Sequence, residues 1–84
     1  MNLKSLDWEE FSEAVHEHID VYVVPQYGDK GEDPAVDYTI EDCVRNMKKY
    51  LARQGKNSRP GQESLDFIKI AHYAQMAFTL IGEQ

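Results

Sequence analysis

Along the first quarter of the chain, Trp8, Phe11, Val15, Ile19 and Tyr22 recur at intervals of three and four, and Glu9, Glu10, Glu13, Glu17 and Asp20 fall on the opposite side. That spacing predicts an amphipathic helix from about Leu6 to Val21 with one apolar stripe. Ser5 or Asp7 is the expected cap, and the early glutamates suit the positive end of the helix dipole. Val21-Tyr22-Val23-Val24 is strand-like in composition but runs into Pro25. With no second strand to pair with, it reads as a helix end or a short extended piece. Residues 25–38 are dense in Gly, Pro and Asp and predict one long acidic loop. A loop of that length in so short a chain is functional or mobile.

A second helix is expected from Thr39, as its cap, to Gly55, whose lack of a side chain suits the left-handed position after a helix end. Ile40, Val44, Met47 and Leu51 form its predicted buried stripe, flanked by Cys43 and Tyr50. After a basic connection containing Gly and Pro, a third helix runs from about Gln62 to Ile81. Phe67, Ile70, Ala71, Ala74, Phe78 and Ile81 occupy one side of it, and Leu65, Ile68, Met76 and Leu80 the other. Apolar over most of its circumference, it reads as the central helix. The fold class that follows is all-α: a small single three-helix domain with a long loop between helices 1 and 2.

At 84 residues the core must be thin, and a homodimer hiding further apolar surface is compatible with that. No stretch approaches the ~18 apolar residues of a membrane span, and no leader-like run opens the sequence. The single cysteine, Cys43, has no partner for a disulfide and no companion at metal-site spacing, so a reducing cytoplasm fits.

Charge changes the picture. The net charge is −6, yet residues 1–44 hold twelve acids against Lys4 and Lys30, whereas Arg45, Lys48, Lys49, Arg53, Lys56, Arg59 and Lys69 fall in residues 45–69 against only Glu63 and Asp66. Such asymmetry marks either a contact for phosphate or two segments that attract each other. On the second helix Asn46, Lys49 and Arg53 share a face next to Tyr50. On the third, Asp66, Lys69 and Tyr73 do the same. A short connection makes the two an antiparallel hairpin, which brings Arg53 opposite Asp66 near the turn and Asn46 nearer Tyr73.

The run Asn46-Met-Lys-Lys49-Tyr50-Leu-Ala-Arg53-Gln-Gly55-Lys56, followed by Asp66-Phe-Ile-Lys69-Ile-Ala-His-Tyr73, resembles a family of small helical domains found in phage and prophage proteins, labelled nucleotide-kinase-like or uncharacterised. The resemblance spans about residues 39–78. It implies a helical domain of mobile-element type that handles nucleotides. The chain departs from the family pattern in having Phe67 where Leu is usual and no His-Tyr pair near its start.

Asn46, Lys49, Tyr50, Arg53, Lys56, Asp66, Lys69 and Tyr73 are therefore the candidate ligand-binding residues. Arg offers a planar fork of donors, Lys a point charge, Asn can read a base edge, and Tyr can stack or donate, which together suit a nucleotide or other small phosphate ligand. The alternative for the same residues is an internal network with Asp66 paired to Arg53 or Lys56. Gly55-Lys56-Asn57-Ser58 is no P-loop, since Tyr50 stands where its first glycine belongs.

Glu9-Glu10-x-x-Glu13 and Glu63-x-x-Asp66 are similar to the carboxylate pairs of all-helical nucleotide pyrophosphohydrolases, where they hold Mg²⁺. Against this, the first set reads as a solvated face. His16 can join Glu13 and Asp20, but His18 points elsewhere, His72 reads as a core residue, and Cys43 as a small buried hydrophobe. No catalytic residue, metal or cofactor is assigned. A homodimer or an acidic protein partner for the basic segment is the other partner expectation. Duplex nucleic acid is disfavoured by the overall negative charge.

Overall fold

The computed structural model describes residues 2–30, 37–56 and 59–83. They form helices and turns only: α1 (Leu3–His18), a π-helical turn (Ile19–Val23), α2 (Val24–Tyr27), α3 (Ile40–Ala52) and α4 (Gln62–Gly82). The all-α expectation holds. Two compact units result, Met1–Val36 and Asp37–Gln84. Among the described residues no helix is long and apolar enough to cross a membrane.

In the first unit the helix starts earlier than Leu6. The Asn2 side chain accepts the Ser5 N–H at 2.8 Å, so Asn2 is the cap instead of Ser5 or Asp7. The helical path also continues past Val21. Pro25 has no N–H to donate and its ring crowds the carbonyl four residues back. The wide π-turn over Ile19–Val23 precedes it, and Pro25 falls in the first turn of α2, where a proline is tolerated. Val21–Val24 is therefore helical, and the expected loop loses its first residues to α2. Gly28–Lys30 and Tyr38–Thr39 remain outside helices; 31–36 lie outside the described residues, as do 57–58.

The apolar stripe of α1 is no core. No described residue of this unit is buried; Trp8 is 63% exposed and meets Phe11 edge-on, centroids 5.9 Å apart. On the polar side His16 stands 3.2 Å from Asp20, and His18 stacks on Tyr22 at 5.3 Å.

The second unit is the α3–α4 hairpin. Its start is fixed by a capping box: the Thr39 hydroxyl accepts the Asp42 N–H at 3.2 Å and Asp42 accepts the Thr39 N–H at 2.9 Å. Arg45 also donates to Asp42. Led by the Thr39 backbone bond, these contacts hold the Asp42 carboxyl below its usual range. A carboxyl depressed in the folded state stabilises above its unfolded pKa, about 3.9, and that contribution is lost as the pH falls through the lower folded value. Thr39→Ala is expected to lower the unfolding free energy by about 1 kcal/mol, measured by urea denaturation near neutral pH, with the deficit shrinking in acid. An unchanged midpoint would show the hydroxyl half of the box to be idle.

At its other end α3 finishes at Ala52. Gly55 has φ 77° and Gly61, just before α4, has φ 79°. Both are left-handed positions that a side chain would strain, and they set the two bends of the hairpin turn.

Packing between the helices differs from the apolar pattern. The buried residues are Cys43 and Tyr50 on α3 and Asp66 and Ala77 on α4. Val44 and Leu51, expected inside, are 37% and 52% exposed. The face that α3 turns to α4 is thus rotated by about one residue, or 100°, from the predicted stripe. On α4, Phe67, Phe78 and Ile81 are exposed, so it is not enclosed on all sides.

Candidate functional site

The seam of the hairpin is organised around one ring. Tyr50 is 7% exposed and stacks on Tyr73 across the seam, centroids 6.2 Å apart and planes 22° off parallel. Three cations lie against it: Lys49 Nζ at 4.9 Å from the ring centroid, Lys69 Nζ at 5.3 Å and Arg53 Cζ at 5.4 Å. All are within the ~6 Å over which a ring quadrupole attracts a cation. Lys49 and Arg53 reach the ring from one helix, one residue before and three after it. Lys69 reaches it from the other.

One carboxylate stands among them. Asp66 is fully buried. Its Oδ1 accepts the Gln62 amide at 2.9 Å, one turn earlier on α4. Its Oδ2 lies 3.7 Å from Arg53 Nε, close enough for charge attraction but beyond hydrogen-bond reach. Oδ2 is the one buried side-chain polar atom left without a hydrogen bond among the described residues. Asp66 is thus a loose counterion.

The magnitudes show that the cluster is under-neutralised. Lys49, Arg53 and Lys69 bring three positive charges and Asp66 one negative. No described carboxylate is within ion-pair distance of Lys49 or Lys69. Two cations sharing the ring centre are no further apart than the sum of their distances to it, 10.7 Å for Arg53 and Lys69. At ~10 Å like charges repel by roughly 0.4 kcal/mol in water and about 1.7 at an effective dielectric of ~20. A cation–π contact gains roughly 0.5–2 kcal/mol. Repulsion therefore consumes much of what the ring gives.

The cations also share a side. At about 100° per residue, Asn46, Lys49 and Arg53 fall on one flank of the Cys43–Tyr50 line of α3, and Lys69 on the matching flank of the Asp66–Ala77 line of α4. Lys49 is exposed, and Arg53 and Lys69 half-buried, so the charges stand at a rim that solvent reaches.

Of the eight expected residues, Lys49, Tyr50, Arg53, Asp66, Lys69 and Tyr73 come together. Asn46 lies beside them, but its amide donates to the Asp42 carbonyl of its own helix at 2.9 Å. Lys56 stays exposed in the turn after α3 and is outside the cluster. Gln62 escaped sequence reasoning. The signal was its position four residues before Asp66, the spacing at which an amide meets a carboxylate on a helix.

Neither the cysteine nor a metal set adds chemistry here. Cys43 is fully buried, and burial, followed by the nearby Asp42 charge, pushes its thiol up, which keeps it protonated and a poor nucleophile. Among the described residues no three His, Cys, Asp or Glu side chains gather as a metal-ligand set; Asp66 faces Arg53 and Gln62, and Glu63 is exposed. His72 is half-buried beside Tyr73, centroids 6.3 Å apart. Comparison with protein-family models, curated proteins and solved structures gives no match, so the function has to be argued from these residues themselves.

Proposed function

We propose that the α3–α4 hairpin binds a phosphate-bearing ligand, a nucleotide or other small phosphate, at the rim formed by Lys49, Arg53 and Lys69. The observation that carries this is the gathering of three cations on one buried ring with a single, loosely held carboxylate beside one of them, Arg53. Tyr50 is too buried to stack a base. Its role is to hold the cations where they are, and Tyr73 backs it. The resemblance to small phage and prophage helical domains labelled nucleotide-kinase-like or uncharacterised falls on these same residues and is in keeping with that ligand class. Among the described residues no three His, Cys, Asp or Glu side chains gather as a metal-ligand set beside the cations.

Calorimetric titration with pyrophosphate checks it. Lys69→Gln is expected to weaken binding about tenfold, equivalent to ~1.4 kcal/mol. Lys56→Gln, which removes an exposed charge outside the cluster, is expected to stay within about twofold of the parent, since a single solvent-screened surface charge acts weakly. Equal losses in both variants would mean that only general charge attracts the ligand. No binding at millimolar pyrophosphate would end the proposal.

A further inference from the structure

The hairpin has a second side that the phosphate reading leaves unused. Val44 and Leu51 stand about 100° round α3 from its inward Cys43–Tyr50 line, and Phe67, Ala74, Phe78 and Ile81 stand roughly 50° to 110° round α4 from its Asp66–Ala77 line. Both offsets run in the same rotational sense. In two right-handed helices packed antiparallel, that brings both sets to the same side of the pair, opposite the flank that carries Lys49, Arg53 and Lys69. The register that pairs Arg53 with Asp66 and Tyr50 with Tyr73 puts Leu51 level with Phe67 and Val44 level with Phe78. One side of the hairpin is a continuous apolar face, and its large side chains are exposed, Phe78 to 78%.

Such a face needs cover. The seam is built from Tyr50, Asp66 and their cations, so among the described residues of the hairpin the only fully buried ones that are apolar or nearly so, besides the Tyr50 ring, are Cys43 and Ala77. Other apolar side chains of the hairpin, among them Ile40, Met47, Leu65 and Ile70, are only half-buried, which is thin cover for a unit of this size. We propose that the cover is a second copy of this chain, the two hairpins packing face to face about a two-fold axis as a four-helix bundle.

Charge and area argue for a copy. No charged residue interrupts the run Phe67, Ala71, Ala74, Phe78 and Ile81 on α4, or Ile40, Val44, Met47 and Leu51 on α3. Two chains of net charge −6 can approach there with least repulsion. At 1.5 Å per residue, α3 with 13 residues and α4 with 21 are ~20 and ~32 Å long. With helices about 10 Å wide, the face has a planar footprint of roughly 500 Å². Side-chain relief raises its accessible area toward the ~800 Å² that each partner contributes to a stable interface.

Sedimentation equilibrium of the full chain at about 100 μM tests this, a concentration at which a pair with a Kd of about 1 μM is mostly associated. The parent chain is expected at twice its 9.7 kDa mass, and to stay there in about 1 M NaCl, where charge attraction is screened beyond ~3 Å. Phe78→Glu and Phe67→Glu, at the two ends of the face, are each expected to give monomers at concentrations where the parent is dimeric. Val21→Glu, at a position 69% exposed, between Phe67 at 48% and Phe78 at 78%, but in the other unit, is expected to stay dimeric. A monomeric parent overturns the proposal. So does a dimer that salt dissociates, which would point to pairing of acidic and basic surfaces, or a Val21→Glu variant as monomeric as the other two.

Discussion

Tyr50→Ala is expected to destabilise the hairpin by about 3–5 kcal/mol, the range for deleting a buried aromatic side chain. A hairpin with so little other buried apolar surface is then largely unfolded, because whole domains are stable by only ~5–15 kcal/mol. The loss has two parts. The stacked contact with Tyr73 goes, and Lys49, Arg53 and Lys69 lose the electron-rich face against which they stand. Tyr50→Phe keeps ring and quadrupole and is expected to stay within about 1 kcal/mol of the parent. Far-ultraviolet circular dichroism in urea reads both variants. Trp8 fluorescence is the wrong probe, since Trp8 belongs to the other unit. An alanine variant that keeps the parent's midpoint would mean that the seam is not organised around Tyr50.

Asp66→Asn is the second large effect. The substitution keeps shape and one acceptor for Gln62 but removes the cluster's only negative charge. Breaking a fully buried ion pair costs about 3–5 kcal/mol. Arg53 retains 40% of its side-chain exposure, so water screens its unpaired charge and the expected loss falls to about 1–3 kcal/mol in chloride buffer. Phosphate at matched ionic strength is expected to restore more stability to this variant than to the parent, because a ligand that binds only the folded state adds about 2.7 kcal/mol at a hundred times its Kd. An asparagine variant more stable than the parent in chloride would show that Asp66 is no counterion to the cluster.

What the sequence disclosed and what it hid follow from range. Thr39 as a cap and Gly55 in a left-handed turn were legible because each depends on a few neighbouring residues. The meeting of Arg53 with Asp66 was legible because a short connection between two helices leaves little freedom of register. The inward face of α3 was not. Ile40, Val44, Met47 and Leu51 form the more apolar stripe, and periodicity says that such a stripe wants cover without saying which element provides it. In the structure α4 takes the neighbouring Cys43–Tyr50 line, so that Val44 and Leu51 of the apolar stripe are exposed while Ile40 and Met47 are half-buried. The start of α1 was missed because Asn2, Ser5 and Asp7 are all competent caps. The helix running past Val21 was missed because a proline signals an end unless a wide turn accommodates it.

The binding claim is tested most directly by following the amide resonances of the full chain during a titration with pyrophosphate, without added Mg²⁺. The expected result is a saturable set of shifts confined to the neighbourhood of Lys49, Tyr50, Arg53, Asp66 and Lys69, with the α1 amides unmoved. Shifts spread over all lysines without saturation, or none at millimolar pyrophosphate, would contradict it.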